Sequence, residues 1–310
     1  MKSKFIIITA IIVIIAFGYL YFINILSKPN PKVLGLSING FYSKKNIAID
    51  SVPTRKGGAE DPKILSDSSI LIEGKTKYPL FAVNEHESVP IASITKIMTY
   101  IVSLEQYEIK EIVEISSRAT DAIGSKIDLV EGEKITVENL LYGLLVNSGN
   151  DAAFALAEHA GSLDGFIEKM NNKAVELGMN DTYFQDPAGL NDEGRSSAFD
   201  VALLFSYCLS DDLFREIIKT SEKEITSTDG QIVHKLKNSN RLVTGEIPFE
   251  GALGGKTGFT FDAGHTLACA AERNGTTLIS VILKTLVNSK TASAYESQKL
   301  LNWGFESYNF

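Results

Sequence analysis

Residues 90–99 read Pro-Ile-Ala-Ser-Ile-Thr-Lys-Ile-Met-Thr, and this run opens an apolar helix. Ile94, Ile97, Met98 and Ile101 recur at i, i+3, i+4 and i+7, so one face of the helix belongs to a core. Ser93 and Lys96 are three residues apart and meet on one side of the first turn. A serine hydroxyl is a weak nucleophile and needs a neighbour to take its proton. A lysine in an apolar setting loses solvation, and its pKa falls toward the range where the amine acts as a base. Ser93 also sits near a helix N-terminus, where free backbone N–H groups can receive an oxyanion. Taken alone, such a tetrad more often marks an ordinary surface serine and lysine than a site, so the rest of the chain has to decide.

The 310-residue chain is 44% hydrophobic, enough for a sizeable core, and carries a net charge of −8. That length allows one large domain or two small ones. No basic patch points to nucleic acid. His86, His159, His234 and His265 show no metal-ligand spacing, so neither a metal nor a cofactor is expected. Cys208 and Cys269 lie in apolar stretches and read as buried thiols, with a disulfide as the alternative.

Residues 5–26 hold 22 residues without a charge, long enough to cross a bilayer as a helix. Lys2 and Lys4 favour a cytoplasmic tip at 1–4. A cleaved signal peptide competes, with Ala16-Phe17-Gly18 as a small-residue cleavage site, but the apolar run continues past Gly18. The expectation is a single-pass signal anchor in the cell membrane, and either reading exports the remainder. Residues 27–62, with frequent Pro, Gly and charge, read as a linker, and 63–310 as the folded domain.

Within that domain, residues 68–85 suggest a strand pair turning at Glu73-Gly74-Lys75. Thr136 is placed to cap a helix whose buried face is Val137, Leu140, Leu141, Leu144 and Leu145. That helix stops at Asn147-Ser148-Gly149-Asn150, and a second begins at Asp151, so Ser148 and Asn150 fall in a tight connection. Helices follow at about 163–177 and 197–208. Residues 223–235, 241–244 and 253–261 read as strands. Two apolar runs, 267–271 and 278–283, flank Asn274-Gly275, a strong hairpin signal, and a closing helix covers about 291–303. Strands, a helical block, antiparallel strands and a last helix make an α+β architecture: an antiparallel sheet flanked by helices, with a helical lobe.

Lys256-Thr257-Gly258 lies on one of the late strands. Three short motifs then stand in order, S-x-x-K at 93, S-x-N at 148 and K-T-G at 256. A further S-x-N at Ser37 falls in the linker and precedes the tetrad. Singly each motif is weak; their order and their helix-start, inter-helix and strand contexts make the combination strong. It is the signature of penicillin-binding proteins and related β-lactamases. The wording around the motifs resembles the low-molecular-mass serine D-Ala-D-Ala carboxypeptidases. The run at 90–99, LLYGLLVNSGNDAAFALAEHAGS at 140–162, MNNKAVELGMNDTYFQDPAGL at 170–190, NRLV, GGKTGFT and the closing AYESQKLLNWGF carry the resemblance, over about residues 65–307. One departure is Arg195, where many relatives have histidine. The chain ends at Phe310, and the N-terminal span is expected to supply the anchor that many relatives carry at the other end.

The resemblance implies a β-lactamase/transpeptidase-like fold and acyl transfer in two halves. Lys96 takes the Ser93 proton and Ser93 attacks the carbonyl between the last two D-alanines of a peptidoglycan stem peptide. The backbone N–H groups of Ser93 and Phe259 match the oxyanion hole. Ser148 passes a proton to the leaving amine, Asn150 holds the peptide amide, and Lys256 adds positive potential that keeps Lys96 deprotonated. Thr257 and Arg241 are the matching candidates for the terminal carboxylate, and Gly258 leaves the strand edge open for an extended peptide. Water then resolves the acyl-enzyme, and a β-lactam acylates the same serine. Each residue also has a plainer reading: Asn150 as a helix cap, Lys256 as an exposed strand lysine, Arg241 as a partner of a surface carboxylate. The competing functions are a DD-endopeptidase, a serine β-lactamase of the same fold, which needs a carboxylate base, and a catalytically dead wall-binding module.

Overall fold

Five antiparallel strands carry the domain, in the spatial order Ala252–Thr260, Gly264–Arg273, Thr276–Thr285, Ser66–Glu73, Pro79–Val83. The structure, a computed structural model, describes residues 52–310 apart from Ala160. The expected tip at 1–4, the span at 5–26 and most of the expected linker lie outside the described residues. Among those described, no helix is long and apolar enough to cross a membrane.

The strands come from both ends of the domain: Ser66–Glu73 pairs with Thr276–Thr285, with Ile70 opposite Val281 and Leu71 opposite Ser280. The Asn274-Gly275 hairpin forms as expected, both residues having positive φ (51° and 78°), which suits the twist of the flanking strands. The flanking apolar runs do not alternate with polar residues because both faces of the sheet are covered. Successive strand side chains point to opposite faces. Ala268, Ala270, Ile279 and Val281 join a core with the helical block, while Leu267, Cys269, Ala271, Leu278 and Ile282 meet Leu300 and Leu301 of the closing helix Ala292–Ser307. Cys208, in helix Ala198–Cys208, and Cys269 belong to these two different cores. Both are free buried thiols, so the disulfide alternative falls.

The helical lobe packs Lys96–Gln106 against Val137–Leu145, Asn150–His159 and Leu163–Glu176. Thr136 caps the second of these by accepting from Asn139 N. Four local expectations change. Ser93 sits in a 3₁₀ turn, Ala92–Thr95, that feeds helix Lys96–Gln106, rather than in the α-helix itself. Residues 241–244 form a helical turn, not a strand, because Asn240 caps it by accepting from Leu242 N and Gly245, at φ 79°, ends it. Residues 223–235 are the hairpin Glu222–Thr226 and Val233–Lys237, with a turn between. A helix absent from the sequence reading, Asp212–Lys219, is capped by Asp211 and buries Phe214, Ile217 and Ile218.

The domain also starts earlier than residue 63. Thr54–Arg55 pairs with Tyr308–Asn309, Trp303 Nε1 donates to the Glu60 carbonyl at 2.6 Å, and the Arg55 guanidinium lies 5.4 Å above the Trp303 ring. Residues 52–62 therefore belong to the compact unit Val52–Phe310. Their Pro and Gly content looked like a linker because backbone pairing with the far end of the chain leaves no local pattern.

Candidate active site

Lys96 is fully buried beneath the half-buried Ser93. Its Nζ lies 2.9 Å from Ser93 Oγ, 2.6 Å from Asn150 Oδ1 and 2.8 Å from the Ala188 carbonyl oxygen. The amide oxygen and the carbonyl can only accept. A neutral amine has two N–H bonds and one lone pair, so these two acceptors take both hydrogens and the lone pair is left facing the serine hydroxyl. Burial lowers the Lys96 pKa to about 7, against the opposing pull of Asp186 and Asp151. Of the two expected causes, loss of solvation is the one that acts; the push expected from Lys256 is not among the causes. Desolvation does most of it, because no water reaches the amine.

Both opposing carboxylates are occupied elsewhere. Asp186 accepts from the backbone N–H groups of Ala188, Gly189, Leu190 and Asn191, and so folds the tight loop that aims the Ala188 carbonyl at Lys96. Gly189 in that loop has φ 74°, and a Cβ there would stand 2.0 Å from the Ala92 carbonyl oxygen. Only glycine lets the loop lie this close under the nucleophile turn. Asp151 accepts from Ile127 N, Leu129 N and Ala152 N. Asn150 keeps its orientation because Nδ2 donates to the Ile123 carbonyl at 2.5 Å, leaving Oδ1 for Lys96.

Ser148 and Lys256 repeat the pattern. The buried Lys256 Nζ is 2.8 Å from Ser148 Oγ and 2.8 Å from the Thr257 carbonyl. Burial, and then the proximity of Lys96, push its pKa well below the ordinary lysine range. The plainer reading of an exposed strand lysine is thus set aside. Ser148 has φ 61°, in the left-handed region between its two helices, a strained backbone for a non-glycine residue. Its hydroxyl and that of Ser93 line one cleft of about 660 Å³, with Thr257, Gly258 and Phe259 on the opposing strand.

Gly258 lets the edge strand Ala252–Thr260 press against the nucleophile turn. A Cβ at 258 would lie 2.8 Å from the Ile91 carbonyl oxygen and 3.1 Å from Ser93 N. The strand that carries Phe259 N is therefore packed directly against the Ser93 amide, the second expected oxyanion donor. The Phe259 ring stacks on His265 with centroids 4.4 Å apart. Arg241 also lines the cleft, but Nε donates to Glu246 Oε1 at 2.9 Å and Nη1 to the Lys290 carbonyl at 2.6 Å. Its plainer reading, a carboxylate partner, describes one of these two contacts.

Sequence reading missed Asp186, the Ala188 carbonyl and Ser239, whose Oγ is 2.5 Å from Thr257 Oγ1. A backbone carbonyl has no sequence signal at all; Asp186-Pro187-Ala188-Gly189 does read as a turn. Arg195 donates through Nε and Nη2 to the Ser88 carbonyl at 3.2 and 3.1 Å, and its strand pairs with Val89–Pro90, so it braces the approach to the nucleophile turn. Among the described residues, no group of three or more His, Cys, Asp or Glu side chains is placed to hold a metal ion.

Residues 55–286 match the peptidase S11 family, described as D-alanyl-D-alanine carboxypeptidase. The chain belongs to this family. One relative, the D-alanyl-D-alanine carboxypeptidase DacF of Bacillus subtilis (strain 168), is 35% identical over 251 residues, covering 78% of this chain and 62% of the relative. The D-alanyl-D-alanine endopeptidase of Haemophilus influenzae is 35% identical over 226 residues, covering 71% of this chain and 75% of the relative. Among solved structures, the Streptomyces K15 DD-transpeptidase superposes with a TM-score of 0.74 at 30% identity, covering 80% of this chain and 99% of that one. The family's mixed fold of helices on an antiparallel sheet is the one described above.

Proposed function

We propose that this chain is a serine-type D-Ala-D-Ala carboxypeptidase that removes the terminal D-alanine from peptidoglycan stem peptides through a Ser93 acyl-enzyme. The observation that carries the reading is the Lys96 amine, both of whose hydrogens are committed to Asn150 and Ala188, with its lone pair on the Ser93 hydroxyl. Lys96 takes the hydroxyl proton as Ser93 Oγ bonds to the carbonyl carbon between the two D-alanines. The electron pair moved onto the carbonyl oxygen is met by Ser93 N–H and Phe259 N–H; loss of one such donor typically costs about 10²–10³ in rate. Ser148, in contact with Lys256, relays the proton taken by Lys96 to the leaving amine as the C–N bond breaks, so that Lys96 is neutral again and Ser148 keeps its hydroxyl. Water then attacks the ester, with Lys96 again as base, and frees Ser93.

The edge strand Ala252–Thr260 has one open side, along which an extended peptide can add as a further strand. A β-lactam ring amide takes the place of the scissile bond and acylates Ser93. A β-lactamase needs a carboxylate poised to activate water at the ester. The two carboxylates that act on Lys96, Asp186 and Asp151, are instead saturated by backbone N–H groups, which favours the peptidase. Residues 5–26, uncharged and following Lys2 and Lys4, support a signal anchor with this domain on the extracytoplasmic side.

The test is intact mass after penicillin together with D-alanine release from a stem pentapeptide. We expect one penicilloyl adduct and D-alanine release on the wild type, and neither on Ser93→Ala. Rapid penicillin turnover without D-alanine release would favour a β-lactamase, and cleavage of cross-linked dimers alone would favour the endopeptidase.

A further inference from the structure

Asn147 belongs to none of the three motifs, yet it ties three segments together beside Ser148. Its Nδ2 donates to the Lys126 carbonyl at 2.8 Å, and its Oδ1 accepts from Lys237 N at 3.2 Å. Its own carbonyl accepts from Ser125 Oγ at 2.8 Å. Ser125 and Lys126 lie on the loop ahead of helix Val137–Leu145, and Lys237 ends the strand Val233–Lys237. A backbone N–H only donates and a carbonyl only accepts, so the Asn147 amide has one orientation here. The residue is half-buried and lines the same cleft as Ser148 and Ser93.

Ser148 needs such holding. Its φ of 61° is a conformation that persists in a non-glycine residue only where the surroundings fix it. After Ser148 the backbone is held by Gly149 N donating to the Gly143 carbonyl at 2.9 Å and Asn150 N to the Ser125 carbonyl at 2.7 Å. Directly before it, Asn147 does the same from the side chain. The position asks for one flat head that donates in one direction and accepts in the other. Aspartate would set a second oxygen against the Lys126 carbonyl, and an apolar side chain would serve neither partner.

We propose that Asn147 is a positioning residue, one that holds Ser148 in line to hand the proton to the leaving amine. The hydrogen bonds of its side chain run to Lys126 and Lys237, and none of them runs to Ser93 or Lys96. Its loss therefore falls on departure of the leaving group and spares the attack of Ser93. An amine must take up a proton as its C–N bond breaks, whereas a thiol departs as the thiolate and needs none. The proposal rests on the peptidase reading above, with Ser148 as its proton relay.

The test compares an N-acyl-D-alanyl-D-alanine with the thioester that replaces its last amide; both form the same acyl-enzyme. Rates on the full chain are taken per penicillin-titrated site, so that an unfolded fraction drops out. Asn147→Ala is expected to lower kcat/KM on the amide about tenfold or more and to leave the thioester within about threefold. Asn147→Asp, which keeps the acceptor for Lys237 N and loses the donor to Lys126, is expected to show the same selective loss, and it carries the test if the alanine variant leaves too few sites to titrate. Ser148→Ala should show that selectivity in larger measure. Equal losses on both substrates in the Asn147 variants would mean a merely structural role and overturn the proposal, as would an undiminished rate on the amide. Equal losses in Ser148→Ala would remove the proton relay, and this proposal with it. A wild-type chain that cleaves neither substrate and takes no penicillin would instead sink the peptidase reading itself.

Discussion

Lowering the pH should remove the base from beside the nucleophile. Burial sets the Lys96 pKa at about 7, so at pH 5 about 1% of the amine is free. Acylation of Ser93 by a penicillin should then run about 100-fold slower at pH 5 than on its plateau above about pH 8, falling roughly tenfold per pH unit at the acid end. The protonated form loses more than a base: its third hydrogen points at Ser93 Oγ and occupies the lone pair that the serine proton needs. Stability carries the same signature. Between about 7 and the ordinary lysine value of 10.5, the unfolded chain holds a proton on Lys96 that the folded chain does not. The unfolded state therefore binds more protons in that window, and stability contributed by this group rises with pH through it. The assay is the second-order rate constant for penicillin acylation from pH 5 to 9, with Lys96→Arg as a permanently charged control expected to show no acylation. A rate that stays flat down to pH 5, or a midpoint above about pH 9, would refute Lys96 as the neutral base.

Further perturbations follow from the same geometry. Gly258→Ala puts a methyl 2.8 Å from the Ile91 carbonyl oxygen, so strand and nucleophile turn must part by about half an ångström; penicillin acylation should fall about tenfold to 100-fold in a folded protein, and an unchanged rate would contradict the close packing. Ser148→Gly and Ser148→Ala both remove the hydroxyl, but only glycine relieves the backbone at φ 61°. Urea denaturation should show the glycine variant more stable by about 1 kcal/mol, with the reverse order counting against strain at this position. His234 Nδ1 faces the Ile127 carbonyl and Nε2 faces Glu133 Oε1 at 2.8 Å, both side chains being buried. His234→Ala should cost about 3 kcal/mol or more in chemical denaturation, because it leaves the buried Glu133 Oε1 without its partner while only Oε2 keeps the Val130 N–H; a loss under about 1 kcal/mol would mean water replaces the ring.

How much was legible depends on whether the signal is local. The helix faces at 94–101 and 137–145, the cap at Thr136 and the Asn274-Gly275 turn all act over a few residues, and all appear where the sequence places them. At Arg241–Thr244 the cap at Asn240 outweighs the strand-like look of a four-residue run, so the segment is helical. Asp212–Lys219 carries a local signal too, the Asp211 cap and the Phe214, Ile217, Ile218 spacing. The Thr54–Arg55 pairing was out of reach, since its partner is more than 250 residues away.

The sequence by itself determined which side chains could do the chemistry, because S-x-x-K, S-x-N and K-T-G each sit on an element that local spacing and turn residues specify. Only the tertiary structure decided the surroundings of Lys96 on which its proposed role as a base rests. An amine becomes neutral when it is stripped of water and its hydrogens are taken by groups from elsewhere in the chain, here the Asn150 amide and the Ala188 carbonyl. Desolvation and hydrogen-bond direction are properties of position in space, set by packing between segments roughly 50 to 90 residues apart, and no local pattern records them.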